Sequence, residues 1–171
     1  MVEVMGYPVY DCDSRAKWLM EHDGDLRDAL TQLLGVEAYR DGRLDRDYVS
    51  RRIFGDAALL AAINAAVHPA VARDLQRWRD SQDGTLCFAE TAIVRTSRLD
   101  KVANRVWWVD APIDVRIKRV MARNGVDESR VRQRMQAQSV ETPSPDFCRI
   151  VNDGNTAVLP QVMALLGQKG C

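Results

Sequence analysis

Four short runs of near-continuous apolar residues constrain this chain more than anything else in it. They are "YPVY" (residues 7–10), "TLCFAE" (85–90), "RVWWVD" (105–110) and "FCRIV" (147–151). Each is rich in β-branched or aromatic side chains, and none alternates strictly between apolar and polar. Strands covered on both faces look like this, and such strands belong to parallel sheets. The segments between them are helical in pattern, so the expected fold class is α/β, a parallel sheet flanked by helices.

Local signals place the helices. "DSRAKWLMEH" opens with Asp13 or Ser14 as its cap, and "DLRDALTQLLG" stops at Gly35. "RDGRLD" reads as a turn about Asp41 and Gly42. "DRDYVSRRIFG" and "DAALLAAINAAV" follow as two helices. Pro69 then reads as the first residue of a third, "AVARDLQRWRD", where its missing N–H costs nothing. "APIDVRIKRVMARNG" opens at Pro112 and closes at Gly125, "DESRVRQRMQAQ" is a further helix, and "NTAVLPQVMALLG" is one that Pro160 bends. The helical excursion over residues 14–83 is too long for a simple crossover. It reads as a subdomain projecting from the strand ends, where open α/β sheets bind ligands.

Composition bounds the function. The 171 residues carry equal numbers of acidic and basic side chains, so no overall field recruits nucleic acid or an anionic membrane surface. Cys12, Cys87, Cys148 and Cys171 are scattered, with no C-x-x-C pair and no His at ligand spacing. That pattern points to a reducing compartment and to no metal-ligating residues. The opening "MVEVMGYPV" has no leader signature, and no segment approaches membrane-spanning length. The expectation is a single soluble, cytoplasmic domain over 1–171, its oligomeric state open.

The strands end in acids: Asp11 and Asp13 after the first, Glu90 after the second, Asp110 after the third. Asp110 reads as a cap for "APIDVRI". The Asp11 and Asp13 pair reads as functional, because only one of the two is needed as a cap. A carboxylate there could accept the proton of a hydroxyl or hold Mg2+ through water. Arg116, Arg119 and Arg123 share one helix face, and the helix after them carries Arg130, Arg132 and Arg134. Residues 112–146 therefore suit a lid whose planar donors meet polyphosphate.

The order "PVYDCD", then "RDGRLDR", "RRIFGD" and "VHP", then "ETAIV", "VWWVDAP", "RVMARNGV" and "IVNDG" resembles the dephospho-coenzyme A kinase family of P-loop kinases across almost the whole chain. That resemblance implies a P-loop-kinase-like parallel sheet with a helical coenzyme-binding insertion (14–83) and a lid (112–146). It implies transfer of the γ-phosphate of ATP, with Mg2+, to the 3′-hydroxyl of dephospho-coenzyme A, a small-molecule partner, with no nucleic acid and no membrane involved. By the same resemblance Asp13 matches the base that takes the hydroxyl proton, and Asp11 shapes that corner. His68 and Pro69 match the coenzyme domain's His-Pro element, and Glu90 an acid of the substrate site. Arg119 and Arg123 match lid arginines, Arg119 catalytic and Arg123 nucleotide-binding, and Asn152 matches the adenine pocket.

The chain departs from that family in places. It contains no G-x-x-x-x-G-K-S/T, and none of Lys17, Lys101, Lys118 and Lys169 follows a Gly. In the family this motif and its strand lie just upstream, and "MVEVMG" resembles the tail of the helix after it. A missing first strand implies a gap, or direct pairing, between the "TLCFA" and "RVWWV" strands. A misassigned start, a truncation and a genuine loss all fit, as do an impaired kinase, a non-catalytic coenzyme A or nucleotide-binding module and an inert fragment. Thr96 stands where an acid is usual, residues 138–151 form a shortened lid exit without the usual Lys, and Arg149 intrudes into an apolar strand.

Overall fold

The computed structural model describes residues 1–84, 86–137 and 141–168, so Thr85, Gln138 to Val140, Lys169 and Cys171 lie outside the described residues. The chain divides into two compact units, Met1–Ala92 and Ile93–Cys171.

The first unit opens with hydrogen-bonded turns, Met5 N–H donating to the Met1 carbonyl at 3.3 Å. It then builds β1 (Val9–Asp11) and helix α1 (Cys12–His22). Asp23 ends α1 and starts α2 (Gly24–Leu34), donating its N–H to the Leu19 carbonyl and accepting from Leu26 N–H. Leu26, Leu30 and Leu34 fall on one face of α2 and are buried. Each such burial stabilises by about 1.5–3 kcal/mol. Gly35 closes α2 at φ 92° and ψ 162°, a region essentially reserved for glycine.

The segment read as a simple turn is a small hairpin, β2 (Tyr39–Arg40) with β3 (Arg43–Leu44). Asp41 and Gly42 both have positive φ, as the tightest hairpin turn requires. Asp45 caps α3 (Arg46–Ile53) through Tyr48 N–H, and Asp56 caps α4 (Ala57–Asp80) through Leu59 N–H. Pro69 does not begin a new helix, because α4 runs unbroken through it for 24 residues. The stripe Ile63, Val67, Ala70, Val71 and Asp74 is buried continuously along α4, which packs on α1 and α2. Pro69 sits on the exposed face, where the carbonyl left without a donor can meet water. Strand β4 (Phe88–Glu90) pairs parallel with β1.

In the second unit β5 (Trp107–Asp110) pairs parallel with β6 (Cys148–Val151). Helix α5 (Ile113–Asn124) begins after Pro112 and ends at Gly125 in the left-handed conformation, as its sequence predicts. Helix α6 (Glu128–Ala137) follows, and α7 (Val158–Gly167) closes the unit. Pro160 lies in the first turn of α7, where its N–H has no helical partner to lose, so it imposes no bend. Gln161 of α7 pairs with Val151 like a strand neighbour, accepting from its N–H at 2.8 Å and donating to its carbonyl at 2.9 Å. Ile117, Val131, Ile150 and Val162 are buried. The described strands thus form three two-stranded sheets, two parallel and one antiparallel, and not a five-stranded one. Coverage is less complete than the apolar runs suggest: Val109 is 62% exposed.

Candidate active site

Parallel pairing in the first unit sets Asp11 directly opposite Glu90 at the carboxyl ends of β1 and β4. The last residue of β1 doubles as the cap of α1. One Asp11 oxygen accepts from the N–H groups of Asp13 (3.0 Å) and Ser14 (3.1 Å), and the other from the Ser14 hydroxyl (2.5 Å). Asp11 therefore replaces Asp13 and Ser14 as the cap, because a cap must keep extended backbone while the helix begins one residue later. The Ser14 hydroxyl and N–H hold the Asp11 carboxyl below its usual range, which makes it a poor proton acceptor. Asp13 sits in the first turn of α1, exposed, and its carboxylate has no hydrogen bond or ion pair among the described residues. Between them Cys12 is buried, its thiol pushed up to about 11 by burial first and then by the charges of Asp13, Asp11 and Glu90. All three carboxylates thus act on one point at the strand ends, and the thiol among them is inert.

A charged network beneath this corner escaped the sequence reading. Asp74 of α4 accepts from the Tyr10 hydroxyl at 2.7 Å and from two Arg15 nitrogens at 2.8 and 2.9 Å. The Arg15 guanidinium lies 4.5 Å from the Trp18 ring centroid, and Trp18 stacks on His22. One acid therefore ties β1, α1 and α4 together. A signal for it existed: Asp74 falls at helical spacing on an otherwise apolar stripe, and an acid there needs partners. His68 and Pro69 lie mid-way along α4, with no hydrogen bond or ion pair joining them to the Asp11, Asp13 and Glu90 group among the described residues. Desolvation alone lowers the His68 imidazole, favouring its neutral form.

In the second unit Arg119 and Asn152 come together. The guanidinium donates to the Asn152 main-chain carbonyl at 2.9 Å and to its side-chain oxygen at 3.2 Å. Asn152 follows β6 and donates its own N–H to the Asp110 carbonyl at 2.7 Å, which fixes its position against β5. Arg123, one turn on, donates instead to Asn124 at 3.1 Å. Asp110 is not a helix cap; its carboxylate holds Arg149 of the neighbouring strand at 2.5 Å, which also explains an arginine within an apolar run. Helix α5 starts from Pro112 without a side-chain cap. Among the described residues no group of three or more His, Cys, Asp or Glu could hold a metal ion, and no helix is long and apolar enough to cross a membrane.

Comparison with known proteins adds the lineage. The sequence profile described as dephospho-CoA kinase matches residues 1–157. A dephospho-CoA kinase of Porphyromonas gingivalis is 42% identical over 166 residues, covering 95% of this chain and 82% of the relative. One from Bordetella avium is 34% identical over 155 residues, covering 88% and 73%. The crystal structure of TT1252 from Thermus thermophilus superposes with a TM-score of 0.79 at 29% identity, covering 96% of this chain and 85% of that one. A dephospho-CoA kinase structure from Campylobacter jejuni, at 13% identity and a TM-score of 0.61, shares the fold. This chain belongs to the dephospho-CoA kinase family.

Proposed function

We propose that the first unit carries the acceptor side, and the second unit the nucleotide side, of a kinase that phosphorylates the 3′-hydroxyl of dephospho-coenzyme A. One observation carries this reading. Asp11 is consumed as a cap, which leaves Asp13 with an unengaged carboxylate at the strand ends beside Glu90. Asp13 would take the ribose proton as the hydroxyl oxygen bonds to the γ-phosphorus and the bond to the ADP leaving group breaks. Asp11 shapes the corner and Glu90 borders it, while His68 and Pro69 belong to a coenzyme-holding helical region over 14–83.

On the nucleotide side, Asn152 and Arg119 form one corner suited to the base and its phosphates. Arg123 offers donors further along the same helix face, within a lid over 112–146. ATP fits these residues in kind. Mg2+ would supply charge neutralisation between phosphates, but no cluster of carboxylates is built to hold it, so proton and phosphate handling is assigned to side chains alone. Cytoplasmic coenzyme A synthesis is the setting this implies.

The sequence holds no phosphate-cradling G-x-x-x-x-G-K-S/T, and electrostatic stabilisation is usually the largest catalytic term. We therefore expect the 171 residues alone to bind the coenzyme but transfer phosphate poorly. That absence also favours a second reading, a coenzyme A or nucleotide-binding module without transfer. Calorimetric titration with dephospho-coenzyme A, paired with a coupled ADP-release assay, tests both. Binding without turnover is the expected result. Family-like turnover would refute impairment, and no binding would refute the acceptor-side assignment.

A further inference from the structure

Residues 93–101 form a tight turn held by its own hydrogen bonds. Ser97 N–H donates to Ile93 O at 2.9 Å and Leu99 N–H to Val94 O at 2.9 Å, while Arg98 takes a left-handed φ of 60° and Leu99 is buried. Like the first turn of a helix, this segment leaves its leading N–H groups, those of Arg95 and Thr96, without a partner inside the turn. A side chain from 45 and 46 residues away supplies one. The two oxygens of Glu141 accept from Thr96 N–H at 2.8 Å and from Arg95 N–H at 3.1 Å. The Thr96 side chain also donates to that carboxylate. The Arg95 guanidinium closes the grip on the other side, reaching the Thr142 carbonyl at 3.4 Å.

This is a helix-type cap delivered across the tertiary structure, and it is charge-assisted, so it is stronger than a neutral cap. Its position gives it a further consequence. Glu141 is the fourth residue after Ala137, the end of α6, and from it the chain returns to β6. The stretch 112–146 is therefore fixed at its entry by β5 and at its exit by this carboxylate. We propose that Glu141 is a positioning residue: by capping the Arg95–Thr96 turn it anchors the exit of α5 and α6, and so holds their arginines in register. The value of that register for phosphate handling rests on the proposed kinase function; the anchoring itself does not.

The test uses the full chain without nucleotide, so its outcome is independent of transfer activity. Backbone hydrogen exchange by NMR and the rate of tryptic cleavage at Arg116, Arg119, Arg123, Arg130, Arg132 and Arg134 are compared for wild type, Glu141→Ala, Glu141→Gln, Thr96→Val and Thr96→Ser. In Glu141→Ala the amides of Arg95 and Thr96 should exchange about tenfold faster or more, and the α5 and α6 sites should be cut several-fold faster. Glu141→Gln and the milder Thr96→Val should fall between that variant and wild type. Thr96→Ser, which keeps hydroxyl and N–H, should restore wild-type rates. Unchanged amide exchange in Glu141→Ala and Thr96→Val overturns the proposal. Faster exchange with unchanged cleavage in α5 and α6 overturns it equally, since the cap would then be local.

Discussion

Replacing Asp74 by Asn probes the network that fixes the acidic corner. The amide keeps the volume and an oxygen for the Tyr10 hydroxyl, but it removes the charge and turns one of the two Arg15-facing acceptors into a donor. Hydrogen bonds to charged groups contribute about 1.5–3 kcal/mol each, and breaking a buried pair costs about 3–5 kcal/mol. The Asp74 side chain is 10% exposed and that of Arg15 is 38% exposed, so the freed guanidinium recovers part of its hydration. We therefore expect a loss of about 2–3 kcal/mol and a melting temperature lower by roughly 5–10 °C. Urea unfolding read by tryptophan fluorescence suits the site, because Trp78 lies 5.3 Å from Tyr10 and Trp18 lies under Arg15.

The pH dependence adds a sign. Arg15, chiefly through its hydrogen bonds, holds the folded Asp74 carboxyl below the ordinary value of 3.8. Its contribution is then complete above that value and is lost as pH falls through the lowered folded one. The gap between wild type and Asp74→Asn should be constant near neutrality and shrink below about pH 4. A difference under about 0.5 kcal/mol at pH 7, within the range of ordinary surface substitutions, or a gap that widens in acid, would refute the network's role.

Three further outcomes follow from the geometry. Asp11→Ala should destabilise by about 1 kcal/mol in the same urea titration through the lost cap, whereas Asp13→Asn should stay within about 0.5 kcal/mol of wild type. Gly35→Ala should cost about 1–3 kcal/mol by thermal melting, because φ 92° with ψ 162° strains any side chain and the new Cβ would stand 2.5 Å from the Glu37 carboxylate. Arg119→Ala should weaken binding of a fluorescent ATP analogue about tenfold and Arg123→Ala less, since only Arg119 is braced on Asn152.

The strands were legible because short continuous apolar runs have few other uses, although each proved shorter than its run. Gly35 and Gly125 were legible as helix stops for the same local reason, a backbone that only glycine adopts readily. Pro69 misled, since the rule that proline begins helices ignores which face it occupies. An exposed proline leaves the buried stripe from Ile63 to Asp74 intact, and packing carried the helix through it. The Asp11 and Asp13 pair was recognised as one cap plus one spare, but the roles were exchanged, because the strand's final residue serves as the cap. Asp110 was misread because its partner Arg149 stands across a ladder, and cross-strand pairing leaves no mark on local sequence. Glu141 was missed for a related reason: a cap arriving from 45 residues away has no periodicity to find.

The assignment of Asp13 is tested most directly by supplying a strand and a G-x-x-x-x-G-K-S loop ahead of Met1, taken from the Porphyromonas gingivalis relative, and measuring single-turnover transfer from ATP to dephospho-coenzyme A with Asp or Asn at position 13. The proposed mechanism predicts transfer in the restored protein, a fall of about a hundredfold or more in Asp13→Asn with unchanged folding, and little transfer by the 171 residues alone. Equal transfer by the restored protein and its Asp13→Asn variant would contradict it.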